Sequence, residues 1–356
     1  MINNLTSQFV PVNYDDLPKY APKKKSETVK KVLKFVASFL PIVAPLFKMV
    51  IVGSVKSLLS LKRTRLSPKA KEDLSKLDIK VKELAKKVGL TPKERDKLKI
   101  IVEKDLSLGA AAAGYIPGQE VVLLNPLYIL NPEDLPDDLK LETIRTDEDF
   151  DEWLPRFQSW MYNEYLENPD IQFKSQHEYD QMKEHVRGWV KLAKEHNLED
   201  AKDFVLGHEL AHIKHKHTLT SPLFELACHI LVGAVSAGAA AAICILFPEV
   251  PIIILSVIAA IALSRAMLAV VTKISQAVSR VHEKQADMTS AKKIGKEESG
   301  MEFFQVIRNL QLRMRKRYDR IRTKISPEGN NRLDHDHPPL TDRIHYLSEY
   351  RREAVV

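Results

Sequence analysis

Residues 204–217 read Phe204-Val205-Leu206-Gly207-His208-Glu209-Leu210-Ala211-His212-Ile213-Lys214-His215-Lys216-His217, and the fold turns on how that run is read. A helix advances about 100° per residue, so His208 and His212 leave from one face and offer two imidazole nitrogens to a single cation. Glu209 lies beside them and can carry a proton. The chain holds 12 histidines, so the run also fits a solvated, histidine-rich helix, and Lys214 to His217 lean that way. What separates the two readings is whether the rest of the chain supplies a third donor.

A catalytic metal takes three protein donors and keeps one position open. After a long apolar interval the chain continues Ser279-Arg280-Val281-His282-Glu283-Lys284-Gln285-Ala286-Asp287. Glu283 and Asp287 again stand at i and i+4 on one helix face. The interval consists of two apolar runs, Pro222 to Phe247 and Pro251 to Val271, joined by a tight turn at Pro248-Glu249-Val250. They form a helical hairpin, so the segments at its two ends return to each other. Glu283 is then placed to be the third donor. Asp287, one turn on, can accept a hydrogen bond from the far ring nitrogen of a ligating histidine and fix its tautomer. His282 points elsewhere and is read as structural.

Each run of the hairpin is long enough to cross the hydrocarbon core and lacks a polar face. Gly233, Ala234, Ser236, Ala237, Gly238 and Ala239 allow close helix approach. Membrane insertion is the reading adopted for residues 222–272, with a hairpin buried in a soluble core as the alternative. Lys214 and Lys216 precede the hairpin, and Lys273 and Arg280 follow it. The positive-inside rule places those ends, and the histidine helix with them, in the cytoplasm.

Composition sets the outer bounds. A chain of 356 residues carrying a net charge of +7 can bury a sizeable core and offers a basic surface to anionic lipid. Mean hydropathy is −0.22, too polar for a many-span transporter. The 2 cysteines, Cys228 and Cys244, exclude a disulfide scaffold and a cysteine zinc cage, and fit a reducing compartment. The basic stretch Met301 to Lys324 has no stacking platform or groove-reading motif beside it, so nucleic acid is not an expected partner.

The N-terminal half is read as supporting structure. Residues 1–34 are polar and expected to be disordered, with no cleaved-signal pattern. Residues 35–60 are hydrophobic but broken by Pro41, Pro45 and Lys48, which leaves a kinked span and a surface-lying helix equally open. In residues 66–132, Ser67-Pro68 starts a helix that Gly89 ends. Thr91-Pro92-Lys93-Glu94 caps a second, read as running towards Glu103. Pro117-Gly118 marks a turn between two short extended pieces, although the Ala-rich run before it also fits a buried helix end. Residues 133–197 open on an acidic stretch and continue as two helices, Asp151 to Asn168 and Ser175 to Asn197. Trp153, Trp160 and Trp189 give this unit an aromatic core, and it packs beside the site or lids it. Residues 198–221 form the histidine helix, capped by Asn197, and residues 273–356 carry Glu283 and the C-terminal part.

The ordered set Gly207-His208-Glu209-x-x-His212, apolar hairpin, Ser279-Arg280-x-x-Glu283-x-x-Ala286-Asp287, then His337-Pro338-Pro339 with Arg343-Ile344, resembles the HtpX-like and CAAX-prenyl-protease-like membrane zinc metallopeptidases, a gluzincin family. Few spans favour the HtpX-like side. Metzincins are excluded, since they need Gly and His where this chain has His215 and Thr218. The expected fold is α+β and predominantly helical: a zincin-like domain with a small β-sheet and an inserted transmembrane hairpin.

The resemblance implies one Zn2+ per chain on His208, His212 and Glu283, with Glu209 as general base. His337 and Arg343 become candidate donors to the oxyanion, and Ala113, Gly114 and Tyr115 part of an edge strand that holds a peptide substrate by β-addition. It further implies a bacterial inner-membrane endopeptidase acting on membrane or misfolded proteins, with lipid bilayer and polypeptide as partners. The rival expectation is an inactive, membrane-anchored adaptor that keeps its zinc site.

Overall fold

The structure is a computed structural model that describes residues 65–103, 106–113, 120–167, 173, 175–246 and 250–355. The expectations for residues 1–34 and 35–60, for the Pro117-Gly118 turn, and for Gly114 and Tyr115 fall outside them. The fold is mostly helical with one small sheet, as the sequence indicated. By internal contacts the chain divides into two units. One contains Val232–Ala266; the other contains Leu58–Leu231 and Met267–Val356.

In the second unit, α1 (Pro68–Val88) starts where Ser67 Oγ accepts the Ala70 N–H at 3.1 Å, and stops at Gly89, whose φ of 98° only glycine adopts without strain. Such an N-cap contributes about 1 kcal/mol. The Thr91/Glu94 capping box forms as expected. Its helix, α2 (Pro92–Lys97), is shorter than the sequence reading, which carried it to Glu103. Ile100, Ile101 and Val102 favour extended backbone, and β1 (Lys99–Val102) begins one residue after α2's C-cap. β2 (Ala110–Ala113) resolves the Ala-rich run as a strand. It pairs antiparallel with β3 (Val121–Leu124), which pairs parallel with β1 on its other side, giving the order β1-β3-β2. Ala110 faces Leu124 and Ala113 faces Val121.

A short α3 (Pro126–Ile129) and three 3-10 turns lead into α4 (Asp147–Trp160), which starts earlier than expected because Thr146 and Asp149 form a capping box. A π-turn over Met161–Tyr165 ends this helical stretch, and the Tyr165 hydroxyl donates to Asp73 of α1 at 2.8 Å. α5 (Gln176–Glu195) follows. Trp153 stacks on Phe157 with ring centres 4.5 Å apart, Phe157 stacks on Trp189 at 5.9 Å, and the Trp153 indole donates to Leu139 O at 2.9 Å. These rings belong to the same hydrophobic core as Leu206, Leu210 and Ala211 of the histidine helix.

That helix is α6 (Leu198–Lys214), capped by Asn197 through the Asp200 N–H at 3.1 Å. α7 (His217–Leu246) and α8 (Val250–Ile294) are the two helices of the hairpin region. Both are long and apolar enough to cross a membrane, and almost none of either apolar window is buried. Within the first unit Val232, Ser236 and Ala240 make one buried stripe, whereas Leu246 and Leu255 are exposed. α8 continues without a break through Glu283 and Asp287. α9 (Glu297–Arg317), the short α10 (Asp319–Arg322) and α11 (Leu340–Val355) complete the chain, with α9 packed on α5, α6 and α11. The basic stretch is thus half core: Phe303, Phe304, Val306 and Leu310 are buried, and Arg313 pairs with Asp147 at 3.0 Å.

Candidate active site

Glycine brings α6 and α8 into register. A Cβ on Gly207 would lie 2.5 Å from Ser290 Oγ and 2.6 Å from Ile294 Cγ1, so only a hydrogen fits there. Ser290 Oγ donates to Phe204 O at 2.6 Å and fastens the two helices at that crossing. Two turns along α8 from Ser290, Glu283 faces His208 and His212.

The three side chains converge. His208 Nε2 and His212 Nε2 are 3.0 Å apart. Glu283 places Oε2 3.3 Å from the first and Oε1 3.1 Å from the second. The three donor atoms lie within 4.8 Å of one another. Behind them the Asp287 carboxylate receives the Nδ1–H of His208 at 2.8 Å. A neutral imidazole carries one proton, so this bond leaves His208 Nε2 with a bare lone pair aimed at the cluster. Three electron-pair donors facing one another repel unless a cation lies among them. Glu283 Oε2 is buried without a hydrogen-bond partner, which fits the same requirement.

Electrostatics point the same way. Burial disfavours a charged His208, yet Asp287 and Glu283 outweigh it and push the imidazole up to about 10. The pocket therefore favours positive charge where a divalent ion would supply it. Burial also opposes ionisation of Glu283, but His208 and His212 hold its carboxyl far below the usual range. For Asp287 burial is again overcome, chiefly by the Arg343 guanidinium and then by His208, and its pKa falls to about 2. Glu209 differs. Burial dominates and raises it to about 7, although His208 and the Ala112 backbone N–H favour the anion.

Arg343 and His337 both arrive at the site but differ in placement. Arg343 is buried, forks onto Asp287 through Nε at 2.8 Å and Nη2 at 2.6 Å, and lies over the Phe304 ring at 4.0 Å. Its Nη2 remains 3.7 Å from Glu283 Oε2. His337 is exposed, donates its Nδ1–H to Asp334 at 2.8 Å, and holds Nε2 3.7 Å from Glu283 Oε2. A pocket of about 310 Å³ opens beside these two residues, with Leu108, Phe303, Ile307 and His185 among its walls.

β2 is one of the sheet's two outer strands, and its Ala112 N–H turns to the Glu209 carboxylate. Ala113 ends that strand. Tyr346 is a contributor the sequence did not single out: its hydroxyl donates to Asp287, and its position three residues after Arg343 on one helix was the available signal. His217 is the other. Lys216 has a φ of 58°, which breaks the helix and resets its phase, so His217 swings back to put Nδ1 3.0 Å from His212 Nδ1. His282 stacks on His217 at 4.0 Å and stays outside the donor cluster.

Such a donor set, carried on a mostly helical fold with a small sheet, could hold a divalent metal ion. Residues 182–351 match the model of Peptidase family M48. The match covers just under half of the chain and supports a zinc metallopeptidase of this family, whose members are proteases that act on proteins or peptides. No curated protein and no solved structure matches the chain.

Proposed function

We propose that the protein is a membrane-bound zinc endopeptidase of the bacterial inner membrane, working on the cytoplasmic side. The observation that carries this is the convergence of His208, His212 and Glu283 on one point, with Glu209 beside it. A zinc ion held by the three would act as a Lewis acid and bring the ionisation of water close to neutral pH.

Glu209 takes the proton of the attacking water and returns it to the leaving nitrogen, a task suited to a carboxylate poised near 7. The edge of β2 away from β3 holds the peptide extended, with Ala113 and, in sequence, Gly114 and Tyr115 at that edge. Of the two candidate donors to the oxyanion, His337 is the better placed: its Nδ1–H bond to Asp334 raises its pKa and favours the imidazolium, which keeps an N–H on the exposed Nε2 facing Glu283. Arg343 spends its hydrogen bonds on Asp287 and acts by holding that carboxylate. The exposed apolar faces of α7 and α8 lie in lipid, and Lys214, Lys216, Lys273 and Arg280 flank them on the cytoplasmic face.

The test uses full-length protein in detergent, with Glu209→Gln and His208→Ala variants, zinc analysis and an unfolded protein substrate. Wild type should bind one zinc and cleave. Glu209→Gln should bind zinc and not cleave, and His208→Ala should lose both. Cleavage by Glu209→Gln removes the base assignment. One zinc with no hydrolysis in the wild type would favour the adaptor, and no zinc in the wild type sinks the metal site itself.

A further inference from the structure

The sequence run Lys214-His215-Lys216-His217 reads as surface, yet His217 is buried and begins an ordered line of contacts leading away from His212. His212 Nδ1 meets His217 Nδ1 at 3.0 Å. His217 Nε2 meets Gln285 Oε1 at 3.0 Å. Gln285 Nε2 meets His215 Nδ1 at 3.3 Å, and His215 Nε2 meets Thr289 Oγ1 at 3.1 Å. The line joins the end of α6 and the start of α7 to successive turns of α8.

Proton positions follow from these contacts and from neutral imidazoles having one N–H each. If His212 presents a bare Nε2 to the cluster, its proton is on Nδ1 and goes to His217 Nδ1. His217 Nδ1 must then be bare, so its proton is on Nε2 and goes to Gln285 Oε1. The Gln285 amide N–H is left to donate to His215 Nδ1, and His215 Nε2–H to Thr289 Oγ1. One assignment satisfies all four contacts. The reverse assignment would aim an N–H of His212 at His208 Nε2 and Glu283, where a cation would bind.

We propose that His217, backed by Gln285 and His215, is a positioning residue that fixes the tautomer and ring orientation of His212 for the metal, the counterpart on the second histidine of what Asp287 does on the first. This rests on the zinc reading above. It differs from the Asp287 arrangement in chemistry, because a neutral imidazole accepts the hydrogen bond of His212 Nδ1–H and adds no charge to the site. His217 is itself clamped by the parallel ring of His282, at 4.0 Å and 6°, with Ser221 Oγ 3.0 Å from His282 Nδ1.

The experiment measures the zinc dissociation constant by competition with a chromophoric chelator, on full-length wild type and on His217→Phe, which keeps a flat ring against His282. Removing such a partner of a metal-bound histidine weakens affinity by about 10- to 100-fold, and that is the expected result. A His217→Phe constant within about twofold of wild type overturns the proposal. Absence of zinc from the wild type would instead defeat the metal site, so the two failures are distinct. Should His217→Phe not fold, the ¹⁵N spectrum of histidine-labelled, zinc-loaded wild type decides. It should show His212 protonated at Nδ1 and His217 at Nε2, and a proton on His217 Nδ1 overturns the assignment.

Discussion

Asp287 accepts the Nδ1–H of His208 at 2.8 Å from a position with no solvent exposure. The same carboxylate takes two N–H groups of Arg343 and the hydroxyl of Tyr346. It therefore ties α6 to α8 and both to α11. Asp287→Asn keeps the volume but, whichever way the amide turns, sets its NH2 against an Arg343 N–H, which can only donate. Zinc affinity should fall by about 10- to 100-fold. Stability should fall by about 3 kcal/mol, because Arg343 is left buried beside a neutral amide. Chelator competition and urea denaturation of the metal-free protein measure the two effects separately. Unchanged zinc affinity would mean that His208 is oriented by something other than this carboxylate.

Gly207 supplies a second prediction. Its missing Cβ is what lets Ser290 and Ile294 approach α6. Gly207→Ala improves helix propensity, a gain of about 1 kcal/mol. Overpacking at a crossing costs about 1–3 kcal/mol, so the net change should be destabilising or close to zero. The functional effect should be larger than the stability effect. Pushing α8 away from α6 moves Glu283 off the histidines that it must meet within hydrogen-bonding distance. The variant should melt near wild type and bind zinc more weakly. Unaltered zinc affinity would show that the close crossing does not set the donor geometry.

Much of this site was legible because its chemistry runs on spacing. His208 with His212, and Glu283 with Asp287, declare themselves by i, i+4 placement, and the apolar interval says how the pairs come together. Caps at Ser67, Thr91 and Asn197 were equally plain, since each is a local hydrogen bond. Local signals failed where tertiary pairing took over. The residues after Lys97 follow a well-capped helix start but have β-branched side chains that pair with Val121–Leu124. His217 was hidden for a different reason. The left-handed Lys216 resets the helical phase, and no periodicity reports a break made at a lysine. The fork of Arg343 onto Asp287 was hidden too, because sequence shows a residue's chemistry and not its partner.

His185 should make the fold sensitive to mild acid. Its Nδ1 accepts the Leu108 N–H at 3.4 Å, and burial pushes the imidazole from 6.5 down to about 4. In the unfolded chain it titrates near 6.5. Between those values the unfolded state takes up a proton that the folded state refuses, so stability is full above about pH 6.5 and is lost as pH falls towards 4. Linkage puts the loss between pH 7 and pH 5 at about 2 kcal/mol. His185→Gln can still accept the Leu108 bond and does not titrate. Urea titrations at the two pH values should show the variant losing about 2 kcal/mol less than wild type over this interval. Equal losses would mean that His185 is protonated in the folded protein.

The last prediction concerns the bilayer. A core helix of a soluble protein is apolar because it is covered; α7 and α8 are apolar along windows that are almost wholly uncovered. Leu231, Leu246, Leu255 and Ile258 each expose more than half their surface. Leaving such faces in water would cost about 25 cal/mol for each Å², and contiguous patches of this kind draw lipid or aggregate. The protein should therefore stay with membranes through alkaline carbonate washing and come off only in detergent. Release by carbonate or salt would make it peripheral and would require another cover for these faces. Orientation is checked by Lys273→Cys in a background lacking Cys228 and Cys244. The basic flanks place that residue on the cytoplasmic side, so a membrane-impermeant maleimide should label it in inverted vesicles and not in intact spheroplasts. Labelling from outside would turn the helix pair over, and would take with it the cytoplasmic location of the three donors that α6 and α8 hold.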